Sequence, residues 1–198
     1  MNTPYKLSEE KGEWLWLPSL SLISIKNFYN PNWLNAIRMK RIIDQNYRLY
    51  PPECEDYFNF PIRHHPHLFD KLYDKFLKTS VGIFGGFTLQ DDSSSTCWAY
   101  RANKVDIERK RKYNRWHNHV KSSTINAVYY LDVVNTGISF LKDNIEYGYI
   151  PSNGELLIFP SHLVHAPDSN TLQKYRYSVN MEILTKEPSH QLFKKLFQ

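Results

Sequence analysis

The spacing of apolar side chains changes character near residue 81. Before that point the chain mixes strand-like and helical patterns. Residues 14–28 alternate well enough, through Leu20, Leu22 and Ile25, to predict a strand. Asn30 and Pro31 then supply an N-cap and first-turn signal. Trp33, Leu34, Ile37, Met39, Ile42 and Ile43 recur at helical spacing with Arg38, Lys40 and Arg41 between them, which predicts an amphipathic helix ending before Pro51-Pro52. A second helix is predicted over 66–78, where Leu68, Leu72, Phe76 and Leu77 share a face.

Short β-branched and aromatic runs follow, separated by polar or glycine-containing turns. They predict strands at 81–88, 97–102, 116–120, 125–132, 137–141, 155–159 and 175–184. Ser152-Asn153-Gly154 reads as a turn, and its Asn-Gly pair is a strong hairpin signal. No repeat or linker divides the chain. The expectation is a single domain over 1–198, mainly β with N-terminal helices. Residues 1–80 form a mixed helical cover, 81–186 a sandwich or jelly-roll core, and 187–198 a C-terminal tail or short helix.

Composition narrows the classes. With 198 residues, 41% hydrophobic and 23% charged, the chain matches a folded globular protein and not a disordered tail. Its most apolar stretch, 14–25, is interrupted by Pro18, Ser19 and Ser21 and falls short of the roughly 20 residues a spanning helix needs, so no membrane is expected. Glu9, Glu10 and Glu13 stand where a secretory signal would need basic and apolar segments. Cys54 and Cys97, alone and 43 positions apart, fit neither a zinc ribbon nor a disulfide scaffold. A reducing, cytoplasmic setting is the expectation. The net charge of +5 is concentrated between residues 101 and 121, where eight basic side chains face two acidic ones, a stripe that attracts anions.

The candidate chemistry lies at Trp116-His117-Asn118-His119. Histidines at i and i+2 of a strand project from one face, about 7 Å apart, so both imidazoles can turn to one metal ion. His64-His65 and His67, by contrast, flank Pro66 in what reads as a surface loop. His165 follows His119 by 46 positions, and Arg176 follows His165 by 11. On the strand at 175–184, alternation puts Arg176, Ser178 and Asn180 on one face, with Tyr175, Tyr177, Val179 and Met181 on the other. A guanidinium fork beside a hydroxyl suits a carboxylate, held by two hydrogen bonds from the arginine and one from the serine. The expected ligand is an acid.

Taken in order, His-x-His, Ser-Ser-x-x-x-x-Val-Tyr-Tyr-Leu (Ser122 to Leu131), Pro-x-x-Gly-x-Leu-x-x-Phe-Pro-Ser (Pro151 to Ser161), His165 and Arg-x-Ser resemble the 2-oxoglutarate/Fe(II)-dependent oxygenases. Within that superfamily the pattern is most similar to a subfamily of bacteria and their viruses, which extends the cytoplasmic expectation to a host cytoplasm. The resemblance implies a double-stranded β-helix, the jelly-roll variant. His117, His119 and His165 would meet on iron, with His165 taking the distal position and His162 a surface role. Arg176 and Ser178 would hold the 5-carboxylate of 2-oxoglutarate, and Tyr130 would donate a further hydrogen bond to it. Most of the superfamily has a carboxylate where this chain has His119, so three imidazoles would leave the site one unit more positive. The subfamily's last strand tends to end in Asn where this chain has Glu182.

The activity implied is a dioxygenase reaction that uses Fe(II), 2-oxoglutarate and O2, releases succinate and CO2, and hydroxylates a substrate. That substrate is left open between a protein side chain, a small molecule and a nucleic acid, and oligomeric state is not legible. The 109–115 stretch, just before His117, would help recruit an anionic macromolecule. Three other readings stand beside this one. The first is a metal-binding or inactive jelly-roll module that recognises an anionic partner through the basic stripe. The second is a cupin, although Ser123 and Thr124 stand where a cupin places its glutamate. The third is a zinc hydrolase with three histidines.

Overall fold

A computed structural model describes residues 5–6, 13–49, 60–61, 66–90, 95–102, 116–167 and 175–197. The N-terminal alternation forms a ribbon and not a single strand. β1 (Tyr5–Lys6), β2 (Glu13–Leu17) and β3 (Leu22–Ile25) pair antiparallel, and Ser21, at φ 52°, turns the chain between the last two. Helix α1 (Trp33–Leu49) starts slightly later than predicted, because Asn32 Oδ1 accepts the Asn35 N–H at 2.9 Å and is the side chain that caps it.

After β4 (Phe60–Pro61) comes helix α2 (Pro66–Phe84), which corrects the strand predicted over 81–88. Val81, Ile83 and Phe84 have strand propensity, but Phe69, Leu72, Phe76, Ser80 and Phe84 recur at helical spacing and are all buried. Each large apolar side chain so covered contributes about 1.5–3 kcal/mol. That exceeds the cost of about 1 kcal/mol for Gly82 in the last turn of the helix. The helix stops where Gly85 and Gly86 take φ of 69° and 89°, and the Gly86 N–H bonds the Val81 carbonyl at 3.0 Å in a Schellman cap.

The rest of the chain is β5 (Ser95–Ala102), β6 (Ile125–Asp132), β7 (Ile138–Lys142), β8 (Ile145–Tyr149), β9 (Leu156–Pro160), β10 (Val164–Pro167), β11 (Arg176–Ile183) and helix α3 (Ser189–Lys194). The eight-stranded main sheet has the order β1-β2-β3-β9-β6-β11-β5-β4, and the small sheet has β10-β7-β8. Every pairing is antiparallel. The architecture is the expected one: mainly β with N-terminal helices, a jelly-roll double-stranded β-helix. Among the described residues, no helix is long and apolar enough to cross a membrane.

The main sheet is covered on both faces. Ile125, Ala127 and Tyr129 of β6, Leu156 and Ile158 of β9, and Val179 and Met181 of β11 pack with Met39 and Ile43 of α1 and with the buried face of α2. The alternate positions Val128, Tyr130, Leu157 and Phe159 pack with Ile138 and Phe140 of the small sheet. β9 is therefore buried at every position, which is why it reads as an unbroken apolar run.

Two turn readings also change. Asn153-Gly154 does turn, with Gly154 at φ 81°, yet it makes no hairpin, because it carries the chain from β8 in the small sheet to β9 in the main one. A Cβ on Gly154 would lie 2.6 Å from Asn30 Oδ1, so the residue also admits a close approach of the chain before α1. The two-residue hairpin is instead Asp143-Asn144 between β7 and β8, both at positive φ (52° and 62°) as a type I′ turn requires.

Candidate metal centre and anion pocket

His117 and His119 do not lie on a regular strand, which corrects the one predicted over 116–120. Only His117 pairs, in an isolated bridge with His165 through His117 N–H to His165 O at 3.1 Å and His165 N–H to His117 O at 2.9 Å. His119 is then fixed by its N–H to the Ser161 carbonyl at 2.9 Å. Its own carbonyl accepts the Ser122 and Ser123 N–H groups, each at 3.0 Å, which closes a turn immediately after it. The i and i+2 side chains still share a face. His165, on β10, completes a cluster whose three available ligand atoms all lie within 4.8 Å of one another. His162 is exposed on the preceding turn and outside that cluster.

The orientation of the rings favours metal binding. His165 Nδ1 lies 3.0 Å from the Leu163 carbonyl, and His119 Nδ1 lies 2.6 Å from Glu182 Oε1. The Leu163 carbonyl can only accept, so it claims the His165 Nδ1 proton and leaves that ring's Nε2 with its lone pair bare. The Nε2 atoms of His119 and His165 face each other at 3.3 Å. A metal bonded to both at about 2.0–2.1 Å fits that spacing. Burial, reinforced by the neighbouring His117, holds the His165 pKa well below the usual histidine range, so the ring is neutral and ready to coordinate at neutral pH. His117 is exposed, His119 half-buried and His165 buried, so the cluster opens to solvent on the His117 side.

A cavity of about 200 Å³ runs from this cluster between the sheets, lined by Tyr130, Arg176, Ser178 and Asn180 among others. β11 presents Arg176, Ser178 and Asn180 to it, as alternation predicts, and Glu182 continues the same face. Register sets Tyr130 beside Ser178 and Asn126 beside Glu182. Arg176 is 2% exposed and lies between the rings of Tyr100 and Tyr130, its guanidinium carbon 5.9 and 5.6 Å from their centroids. It gives one Nη hydrogen bond, 2.7 Å long, to the Gly137 carbonyl. A Cβ on Gly137 would fall 1.9 Å from the Tyr149 carbonyl, so only glycine lets the chain pass here.

The arginine Nε, the Tyr130 hydroxyl and the Asn126 Nδ2 are buried and have no hydrogen-bond partner of good geometry. Each leaves about 1–3 kcal/mol of desolvation uncompensated. The guanidinium Nε and the phenol are neighbouring donors, whereas Asn126 lies farther along the wall beside Glu182, so the partner missing at Arg176 is an acceptor, and beside a guanidinium it is an anion. Burial raises the Tyr130 pKa despite the opposing Arg176 charge, so the phenol keeps its proton to donate.

The residues singled out in the sequence thus come together: His117, His119 and His165 at one end, Arg176, Ser178 and Tyr130 at the other. Asn126 and Glu182 were legible only by extending the alternation from Tyr130 and Arg176. Trp98 and Tyr100, which close the wall from β5, carried no local signal. Of the basic 101–121 stripe, residues 103–115 lie outside the described residues, as do Cys54, His64 and His65. Arg101, at its edge, pairs with Asp44 of α1 at 2.7 Å.

No protein-family model matches the sequence, and no curated protein matches it. Solved structures match it in shape. A Pseudomonas putida prolyl-4-hydroxylase superposes with a TM-score of 0.56 at 14% identity, covering 85% of this chain and 90% of that one. HygX from Streptomyces hygroscopicus, solved with nickel and 2-oxoglutarate bound, gives 0.54 at 8% identity over 86% of this chain and 84% of HygX. SnoN, a non-heme α-ketoglutarate-dependent epimerase from nogalamycin biosynthesis, gives 0.54 at 9% identity over 82% and 76%. At such identities the likeness is one of fold, the jelly roll.

Proposed function

We propose that the chain, as a single oxygenase-like unit, is an Fe(II)- and 2-oxoglutarate-dependent dioxygenase that hydroxylates its substrate and releases succinate and CO2. The observation that carries this reading is the presence in one cavity of three converging imidazoles and a buried guanidinium whose Nε, like the neighbouring Tyr130 hydroxyl, lacks a hydrogen-bond partner. Neither half alone specifies this chemistry.

His117, His119 and His165 would hold the metal. Iron, with 2-oxoglutarate and O2, supplies oxidative decarboxylation coupled to oxidation of a C–H bond. The chain's own part is positional. Arg176 grips the distal carboxylate through Nε, its orientation set by the bond to Gly137 and by the two tyrosine rings. Tyr130 and Ser178 add hydroxyl donors to the same oxygens. The cavity, at about 200 Å³, is smaller than the roughly 300–1,000 Å³ of a typical small-molecule pocket. A short dicarboxylic acid fills it and displaces water. The primary substrate, whether a protein side chain, a small molecule or a nucleobase, then approaches from the exposed His117 side.

Purified protein supplied with Fe(II), ascorbate and 2-oxoglutarate is expected to form succinate above a His165→Ala control. Absence of succinate from a protein that still binds the metal and the acid would favour a non-catalytic module. That module would bind nucleic acid in a salt-sensitive manner and keep doing so after loss of His117.

A further inference from the structure

One orphaned donor of the cavity stands apart from the other two. Asn126, on β6, is 3% exposed, and its Nδ2 is buried with no hydrogen-bond partner. No described residue accepts from it, Glu182 opposite it in the ladder included. The other end of the amide is occupied. Oδ1 accepts the Ser123 hydroxyl, and the Ser123 N–H is in turn bonded to the His119 carbonyl at 3.0 Å. Nδ2 is therefore the end left for the cavity that Asn126 lines, and it is tied through Ser123 to the backbone of a metal-ligand candidate.

Position along the strand identifies the missing acceptor. Asn126, Val128 and Tyr130 alternate onto the cavity face, so four residues, about 13 Å of strand, separate the orphaned amide from the orphaned phenol. An extended five-carbon diacid measures about 7 Å between its outermost oxygens, and with a hydrogen bond of about 2.9 Å at each end it bridges donors about 13 Å apart. We propose that Asn126 is a binding residue for the acid, its Nδ2 donating to an oxygen at the metal-side end while Arg176 and Tyr130 hold the distal carboxylate. The acid is then gripped at both ends, and the residue that orients its near end shares Ser123 with His119. The inference rests on the metal and 2-oxoglutarate reading above, which does not itself require Asn126.

The test uses the Co(II)-loaded full chain and three ligands. 2-Oxoglutarate and glutarate carry oxygens at both ends, whereas pentanoate offers only the distal carboxylate. Asn126→Leu, which removes the donor and adds no charge, should weaken the two diacids about tenfold or more, read by calorimetry, and leave pentanoate within about twofold, read by competition. Co(II) affinity and the d–d bands should match the wild type before the acid is added and differ after it. Asn126→Ala is the second variant if thermal melts show that Leu unfolds the chain. Unchanged diacid affinity, or an equal loss for all three ligands, would overturn the inference and leave the cosubstrate reading in place. A Co(II)-loaded wild-type protein that binds none of the three would overturn both.

Discussion

The two ends of the cavity solve different problems. At the Arg176 end the guanidinium Nε and the Tyr130 hydroxyl are buried donors without a hydrogen-bond partner, so that end is preformed for one small anion and penalised without it. At the histidine end the Leu163 carbonyl orients His165, His119 lies against Glu182, and His117 is open to solvent. The closed end selects what fills it. The open end leaves room for something larger to reach the ion. The contrast separates cosubstrate recognition, built from strand interiors, from substrate recognition, which falls to the rim.

The sharpest way to break this contrast is His165→Ala. Removing a direct ligand should cost more metal affinity than the roughly 10–100-fold typical of losing an outer partner, and abolish succinate formation. Isothermal titration with Co(II) reads the first, and product analysis the second. Arg176→Ala acts at the opposite end. It should weaken 2-oxoglutarate by about 2–5 kcal/mol, roughly thirtyfold to several thousandfold in Kd, and leave Co(II) affinity near the wild-type value. If both fall together, the two ends are not separate.

Tyr130→Phe sharpens the comparison through its sign. Deleting an orphaned buried hydroxyl should leave the ligand-free Tm unchanged or raised, while 2-oxoglutarate affinity drops by about 1 kcal/mol, roughly fivefold. A loss of ligand-free stability would mean the hydroxyl is already satisfied.

The smallest effect concerns the wall behind the closed end, where Glu155 is fully buried. Burial pushes its pKa up but is outweighed by Lys26, Ser152, Tyr149 and Ser24, so the net shift is downward. Ser24 Oγ donates to Oε1 at 2.7 Å, and Ser152 donates to Oε2 through both N–H and Oγ at 2.8 Å. A carboxylate depressed in the folded state stabilises above its unfolded pKa, and that contribution is lost as pH falls through the folded value. Thermal melts should therefore show wild-type Tm declining progressively below about pH 5. Glu155→Gln should start lower at neutral pH and follow a flatter curve.

The β core was legible where one physical requirement governed each residue. Residues 125–132 read as a strand because every position there is packed from one side or the other, and β6 occupies those bounds. Residues 81–88 misled because Val81, Ile83 and Phe84 suit a strand locally, while their phase with Phe69 and Phe76 reaches back over several turns of helix. β8 passed unnoticed because it is mostly exposed and carries Gly148. β10 did so because four residues ending in Pro167 give almost no periodicity.

The amino-acid order by itself determined which side chains share a face: His117 with His119, and Arg176 with Ser178 and Asn180. That follows from backbone geometry, in which neighbours alternate. What the order could not contain is which faces meet. The bridge between His117 and His165, the pairing of Glu182 with His119 and the burial of Arg176 between two tyrosines all depend on sheets closing over one another. Those contacts join residues 46 to 76 positions apart, and only the packing of the whole jelly roll fixes such separations in space.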